Sequence, residues 1–351
     1  SAAVTARRMG LSVIVVEERA ALGGQYYKQP APGLAAPALD AQQSEGAVLA
    51  AAAEVAGATI LRGADLWGAF ATDRLAVFDG TRTRLFAPDA VIIAAGAYER
   101  PHPIPGWTLP GVMTTGAAQT FWRSYRVLPG RRVLVAGNGP LNLQIACELA
   151  AGGAEIVALA AADPVLAAKG LGYLAALARR RVPLRYGATL TRVERDGDAL
   201  RATLRTPHGE TTHDADAVLL GYGFLPSHEV LRALGADLDW DAARGQLTVT
   251  RDADAMTTVP GLYAVGDCAG LGGAPAAREE GLIAAVAAAR RLGRAPDTAM
   301  ETEVTGARRR LNNHRHFQAA LWRLHAAPRA GLALADSDTI ICRCEEVTKG
   351  D

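Results

Sequence analysis

The sequence predicts an α/β protein built on doubly wound parallel sheets, and three observations predict it. Helix-like and strand-like patterns alternate from the first residues onward. The strand candidates are short unbroken runs of Val, Ile, Leu and Ala, the composition of sheets covered on both faces. Glycine is abundant, 37 of 351 residues, while aromatics make up 5%, which favours tight backbone turns around a ligand over an aromatic recognition surface. Half the chain is apolar, ample for buried cores, and the length predicts two or three domains. Disorder, collagen and coiled coil do not fit this composition. Lys+Arg 37 balance Asp+Glu 36, a formal net charge of +1, so there is no basic footprint for nucleic acid or an anionic membrane. Four cysteines in such a chain are too few for a disulfide scaffold.

Taken in order, residues 1–9 read as a helix closed by Gly10, and residues 12–16 as a β-branched strand ending in Glu17. Together they make the second half of a βαβ unit. Further buried strands are predicted at 90–94, 132–136, 155–159 and 217–220. Two Pro/Gly-rich stretches, 101–111 and 257–261, read as crossings between one domain and another inserted within it. Residues 308–328 are basic and helical, a linker leading to something new at Asp338. No run approaches the ~18 uninterrupted apolar residues of a membrane span. Even the Ala-rich stretch 283–289 is flanked by Glu279, Glu280, Arg290 and Arg291, and a soluble protein without direct membrane insertion is expected. The chain opens on Ser1 and stops seven residues after Cys344, and it is expected to be a fragment at both ends.

The strongest local constellation is RVLVAGNGPLNLQIACEL at 132–149: a strand, Gly137-x-Gly139, a helix, then the strand at 155–159. Glycines suit that turn because it is tight and the backbone must approach a pyrophosphate at the helix N-terminus, where unpaired N–H groups and the dipole favour anions. Asn142 stands where the third glycine of the fingerprint would be, which predicts helix and strand slightly apart. The second strand runs out in Ala160-Ala161-Ala162-Asp163, with neither an acid at its tip for a ribose 2′-OH nor an arginine for a 2′-phosphate. NAD(P), ATP or ADP, or no nucleotide at all stay open at this site. Glu17 is complementary. An acid closing the second strand of a βαβ unit is placed to bind an adenosine ribose, although any strand-end carboxylate looks the same. Small-residue turns follow it: Leu22-Gly23-Gly24-Gln25, Ala94-Ala95-Gly96, and Gly266-Asp267 ahead of another helix. Asp267 has a plainer reading as a helix N-cap.

VIVVEERAALGGQYY, IIAAGAYERP, VLVAGNGPLNL, LLGYGFLPS and GLYAVGDCAGLGGAPAAREEG resemble, in order and spacing, the two-dinucleotide-domain flavoproteins related to pyridine nucleotide–disulfide oxidoreductases. The resemblance covers almost the whole chain. It implies that Glu17 holds the FAD ribose, that Gly23, Gly24 and Gln25 line the flavin, that Ala95 and Gly96 lie at the return crossing, and that Gly266 and Asp267 meet the ribityl–pyrophosphate region. The implied fold is an FAD-binding Rossmann-like domain, lacking its first strand and glycine loop, with a second Rossmann-like nucleotide-binding domain inserted. The implied boundaries are 1–115 and 241–298 for the FAD domain, 116–240 for the insert, and 299–337 for a helical linker. The dithiol pair of the disulfide reductases is missing: the position after Gly-Gly reads Gln25-Tyr26-Tyr27, and Cys147 and Cys268 each lack a Cys-x-x-Cys partner and read as structural.

At the C-terminus, TIICRCEEVTKGD places Cys342-x-Cys344 after a short apolar strand. Two thiolates this close can both ligate one iron–sulfur cluster, which needs four ligands, though a zinc site or two ordinary thiols share the spacing. In context the segment resembles the opening of the bacterioferritin-associated-ferredoxin type of [2Fe–2S] module, at 338–351, whose later C-x-x-C lies past the end of the chain. A two-domain flavoprotein joined to this module is similar to the large subunits of opine oxidases, hydrogen cyanide synthase and proline or hydroxyproline dehydrogenases. That implies an FAD-dependent oxidoreductase subunit that oxidises the C–N bond of an amino acid, imino acid or opine, directly or through a second flavoprotein subunit in a hetero-oligomer. Electrons would pass to the [2Fe–2S] centre, in the cytoplasm, with membrane association only through partners. Two other functions are carried beside it: an NAD(P)H-dependent reductase feeding an iron–sulfur acceptor, and a non-catalytic electron-transfer scaffold. No catalytic side chain is readable. His314 and His316 read as a solvated helix face, residues 179–181 as a charged helix end, and Trp122 with Tyr125 as a packing cluster. His102, Glu99 and Arg100 are equally loop residues or neighbours of the flavin.

Overall fold

The computed structural model describes residues 1–34, 39–162, 171–324 and 331–351. The chain forms two compact units, one of residues 1–98 and 225–320, the other of 99–224 and 321–351.

In the first unit the N-terminal prediction reappears as the helix Ala2–Arg8 and the strand Ile14–Glu17, which pairs in parallel with Thr59–Arg62. Between these strands runs the helix Ala41–Val55, started by a capping box in which Asp40 and Gln43 satisfy each other's backbone N–H groups. An antiparallel meander follows, Asp65–Ala71, Arg74–Phe78 and Thr83–Phe86. The strands Val91–Ile93 and Leu262–Ala264, far apart in sequence, pair in parallel. The helix Gly273–Arg291 then buries most of one Ala-rich flank. The helix Thr298–Leu324 places Met300, Val304, Ala307 and Leu311 against Ala276, Leu282, Ile283 and Val286. This corrects the reading of 299–337 as a linker: the i, i+4, i+7, i+11 spacing of those four residues gives the helix an apolar stripe that buries against its neighbour.

In the second unit five parallel strands lie in the order Leu184–Tyr186, Glu155–Ala161, Arg132–Ala136, Ala217–Leu220, Val112–Thr114. The period of two along each strand divides its side chains between two cores. Val133, Val135, Ala217 and Leu219 meet the helix face, with Leu143, Ile145 and Leu149. Leu134, Ala136, Val218 and Leu220 meet the other face, where an antiparallel meander of Thr189–Asp196, Ala199–Thr206 and Gly209–Ala215 contributes Leu190, Leu200 and Leu204. Each fully buried Leu or Val contributes roughly 1.5–3 kcal/mol, so these near-continuous apolar runs hold the unit together. The unit boundaries fall at 98/99 and 224/225, earlier than the expected 115/116 and 240/241; the first lies before 112 because the strand Val112–Thr114 is an edge of the five-stranded sheet. Residues 257–261 are accordingly no crossing; they lead into the strand Leu262–Ala264 inside the first unit. Among the described residues no helix is long and apolar enough to cross a membrane.

Candidate cofactor sites

The first unit gathers eight of the sequence-derived site residues. Glu17 ends its strand with a half-buried carboxyl whose Oε1 accepts the N–H of Arg19 (3.1 Å), and burial raises its pKa. The Gly23–Tyr27 turn is closed by the Tyr27 N–H on the Gly23 carbonyl (3.0 Å). Gly23 needs its missing side chain: at φ +127° a Cβ would stand 2.5 Å from the Tyr27 carbonyl oxygen. The turn is tied to the helix Ala41–Val55 by Gln29, whose Nε2 donates to the carbonyls of Tyr27 (2.7 Å) and Gln43 (3.0 Å). Gly24 (φ +56°) and Gly96 (φ +75°) have positive φ as well, yet a Cβ at either would meet only open space. Room beside a glycine with nothing of the chain in it is what close approach of a ligand requires. Gln25 is exposed.

The turns at 94–96 and 265–267 leave the carboxyl ends of the paired strands Val91–Ile93 and Leu262–Ala264, where ligands of open α/β sheets bind. Beneath them lies Cys268, its thiol 3.4 Å from the Ile93 carbonyl and 3.3 Å from that of Val265. Burial pushes this thiol up to about 11, against the pull of the Ala95 backbone amide, so it stays protonated and inert at neutral pH. Cys147 is also pushed up by burial. Asp267 Oδ1 accepts the N–H groups of Gly272 (2.9 Å) and Gly273 (2.7 Å), which caps the helix Gly273–Arg291.

Sequence reasoning missed the group that holds this turn. Glu280, taken as a charged flank of an apolar stretch, is only 5% exposed. Its Oε2 accepts the Gly266 N–H (2.8 Å), and both its oxygens take the Arg251 guanidinium at 2.9 Å, with Arg315 on Oε1 at 3.1 Å. Arg251 also donates to the Ala264 carbonyl (2.6 Å). Its only sequence signal is a Glu among alanines on one helix face.

In the second unit the glycine turn forms as predicted between the strand Arg132–Ala136 and the helix Pro140–Ala151. Gly137, at φ +123°, donates to the Ala160 carbonyl (2.9 Å), and a Cβ there would lie 2.1 Å from the Gly221 carbonyl oxygen. Gly139 is extended at φ −179° with open space beside it. Asn142 does not hold helix and strand apart. Its amide donates to the Gly221 carbonyl (3.0 Å), its Oδ1 accepts from Thr115 (3.1 Å), and Gly221 is the residue with no room for a Cβ, 1.8 Å from that oxygen. The small residue has changed places. At the tip of the next strand Asn138 Oδ1 accepts the Ala162 N–H (2.8 Å), so that position is satisfied from within the loop; Asp163 lies outside the described residues.

Glu99 and His102 resolve as structural members of the second unit. Both oxygens of Glu99 accept the Gly116 N–H (2.8 Å) at the start of the helix Thr115–Tyr125, where the dipole favours a carboxylate. The His102 ring, 4% exposed, stacks on Tyr222 with centroids 3.6 Å apart and planes at 13°. Its Nε2 has no hydrogen-bond partner among the described residues, and burial holds its pKa down at about 4. The unfolded chain takes up this proton near pH 6.5, the folded one only near 4. His102 therefore costs nothing above about pH 6.5, and stability falls by up to about 3 kcal/mol as the pH drops from there to about 4. His102→Phe, which keeps a ring on Tyr222, should flatten that loss in urea titrations at about pH 7.5 and 4.5. The Trp122–Tyr125 cluster is half right: Trp122 packs on Gly152, while Tyr125 is 52% exposed.

At the C-terminus Ile340–Cys342 and Val347–Thr348 pair as a small antiparallel hairpin. Cys342 and Cys344 Sγ stand 3.2 Å apart. The Cys342 thiol is drawn below its ordinary pKa by the Cys344 thiol first, and by the backbone amides of Glu345 and Cys344. Two adjacent thiols fed by amides fit half of a four-thiolate set. Among the described residues no group of three or more His, Cys, Asp or Glu could hold a metal, and His314 and His316 form none.

A family model for pyridine nucleotide-disulphide oxidoreductases matches residues 1–311. An opine oxidase subunit of Agrobacterium tumefaciens (strain Ach5) is 31% identical over 99% of this chain and 74% of its own length. The hydrogen cyanide synthase subunit HcnB of Pseudomonas protegens is 31% identical over 81% of this chain and 66% of its own. The corresponding opine oxidase subunit of Rhizobium meliloti is covered over 54% of its length, so the chain spans between about half and three quarters of these relatives. A solved T. acidophilum thioredoxin reductase superposes with a TM-score of 0.62 at 20% identity, over 83% of this chain and 94% of that one. The fold is thus the two-dinucleotide-domain fold, and the chain belongs to the pyridine nucleotide-disulphide oxidoreductase family, FAD-dependent oxidoreductases that also bind NAD(P).

Proposed function

We propose that this chain is the flavoprotein subunit of an enzyme that oxidises the C–N bond of an amino acid, imino acid or opine, and that it works beside a second flavoprotein subunit in a hetero-oligomer. The observation that carries this is the match to two relatives, one named an opine oxidase subunit and the other a hydrogen cyanide synthase subunit, over 99% and 81% of the chain. When bound, FAD supplies a two-electron acceptor and a [2Fe–2S] cluster a one-electron relay. The chain's own part is binding and positioning. Glu17 would hold the adenosine ribose, Gly23, Gly24 and Gln25 the flavin end, and Gly266 and Asp267 the ribityl and phosphate groups, with Ala95 and Gly96 beside the cofactor at the return crossing. Asp267 and Glu280 fix the backbone of the Gly266 turn, so that its path needs no reorganisation on binding. Cys342 and Cys344 would be two of the four cluster ligands. The Gly137/Gly139 turn would take NAD(P), ATP or ADP. The place of action would be the cytoplasm, with any membrane association through partners.

The test is anaerobic stopped-flow mixing of the native complex with opines, proline, hydroxyproline, NADH and NADPH. Flavin bleaching by an opine or amino acid is the expected result. Rapid bleaching by NADH or NADPH alone would make the chain an NAD(P)H-dependent reductase feeding an iron–sulfur acceptor; the Asn138–Ala162 tip, satisfied within the loop and with no acid among its described residues, speaks against that. Bleaching confined to the partner's flavin would leave this chain an electron-transfer scaffold.

A further inference from the structure

The Cys342-x-Cys344 hairpin has three residues in one strand and two in the other, far too little to hold a shape by itself. What it leans on is in the second unit. Trp107 donates its indole Nε1–H to the Ile340 carbonyl at 2.6 Å, and the Arg343 guanidinium sits 5.5 Å from the centre of the Trp107 ring. Residue 340 opens the first hairpin strand and residue 343 separates the two cysteines, so one side chain grips the hairpin on both sides of Cys342. We propose that Trp107 is the positioning residue that seats this hairpin, and so sets where a cluster on Cys342 and Cys344 stands. The cluster half of the proposal rests on the iron–sulfur reading above; the seating half does not.

The seat itself is stiff. Trp107 follows Gly106, whose φ of +84° places an imagined Cβ 1.8 Å from the Val193 carbonyl oxygen, so the loop lies directly on the meander strand. The Val193 N–H donates to the Pro105 carbonyl (2.9 Å), the Trp107 N–H to that of Ile104 (3.0 Å), and Ile104 is fully buried. Trp107 also packs against the core on that face of the sheet. A further polar tie between segment and unit among the described residues, Arg192 to Asp336 at 3.1 Å, is exposed on both sides and contributes little. Lys349 reaches the carbonyls of Leu332 and Ala335, which only ties the segment to itself. A tryptophan serving merely as core filler would have no need of a hydrogen bond to residue 340 or a cation from residue 343.

The experiment uses the full-length protein with Trp107→Phe, which keeps an aromatic ring in the core and removes the N–H, and Arg343→Met, which removes the cation alone. Thermal melting and flavin content serve as folding controls. Hydrogen exchange of the segment 340–348 is expected to quicken about tenfold in Trp107→Phe and less in Arg343→Met, in keeping with one hydrogen bond and one cation–π contact. The EPR line shape of the reduced cluster should change in both. Faster exchange in Trp107→Phe, with no iron held by either the variant or the wild-type protein, keeps the seat and removes the iron–sulfur reading. Unchanged exchange in Trp107→Phe overturns the seat, and an unchanged EPR signal beside faster exchange overturns its influence on the cluster.

Discussion

Replacing Glu280 by alanine is expected to cost about 3–5 kcal/mol, the range for breaking a buried ion pair by removing one partner. The loss has three parts. Arg251, its side chain 14% exposed, would keep its charge with no carboxylate opposite; Arg315 would face it across the gap; and the Gly266 N–H would lose its acceptor. The turn 265–267 is held by that acceptor on one side and by the Asp267 cap on the other. Glu280→Ala should therefore lower both the denaturation midpoint and the flavin retained per chain, while Glu280→Gln, which keeps an oxygen for Gly266, should fall between. Urea titration with flavin absorbance measures both. A Glu280→Ala protein within about 1 kcal/mol of wild type would show that the network is not what holds the turn.

The two glycines of the second turn should respond in opposite ways. Gly137→Val forces a β-branched residue to φ +123° with its Cβ about on top of the Gly221 carbonyl, which belongs to backbone and is itself fixed by the Gly221 N–H on Ala136 (2.8 Å). A loss on the order of 4 kcal/mol or more is expected, with the five-stranded sheet disrupted. Gly139→Ala meets extended backbone and open space, and stability should move by less than about 1 kcal/mol. Its effect should appear in ligand binding: if a nucleotide phosphate approaches here, equilibrium dialysis with ATP, ADP and NAD(P)H will show weaker binding in Gly139→Ala. Equal binding in the two proteins would mean that no phosphate uses this turn. Comparing the pair separates folding from ligand room within three residues.

Much of this was legible without coordinates because it is local. The strands Arg132–Ala136 and Ala217–Leu220 fall where the apolar runs put them, since a run buried on both faces needs nothing from elsewhere to be recognised. Gly23, Gly24, Gly96, Gly137 and Gly266 all adopt positive φ, and their clustering at strand ends announced the turns. The cysteines stand as one buried thiol, Cys268, one half-buried thiol, Cys147, both raised by burial, and a close pair. What misled was inference from a residue's type to its surroundings. Glu280 reads as a charged flank of an apolar stretch, Asn142 as a replaced glycine, and residues 257–261 as a crossing.

The family, the order of the elements and the positions of the glycine turns were all set out in the amino-acid order, because periodicity and φ preference are written in neighbouring residues. Which polar group satisfies which emerged with the folded chain alone. Glu280 meets Gly266 across 14 residues, Asn142 meets Gly221 across 79, and Trp107 meets Ile340 across 233. Buried charges, amides and carbonyls must find partners wherever the fold brings them, and no local pattern encodes a partner at that distance.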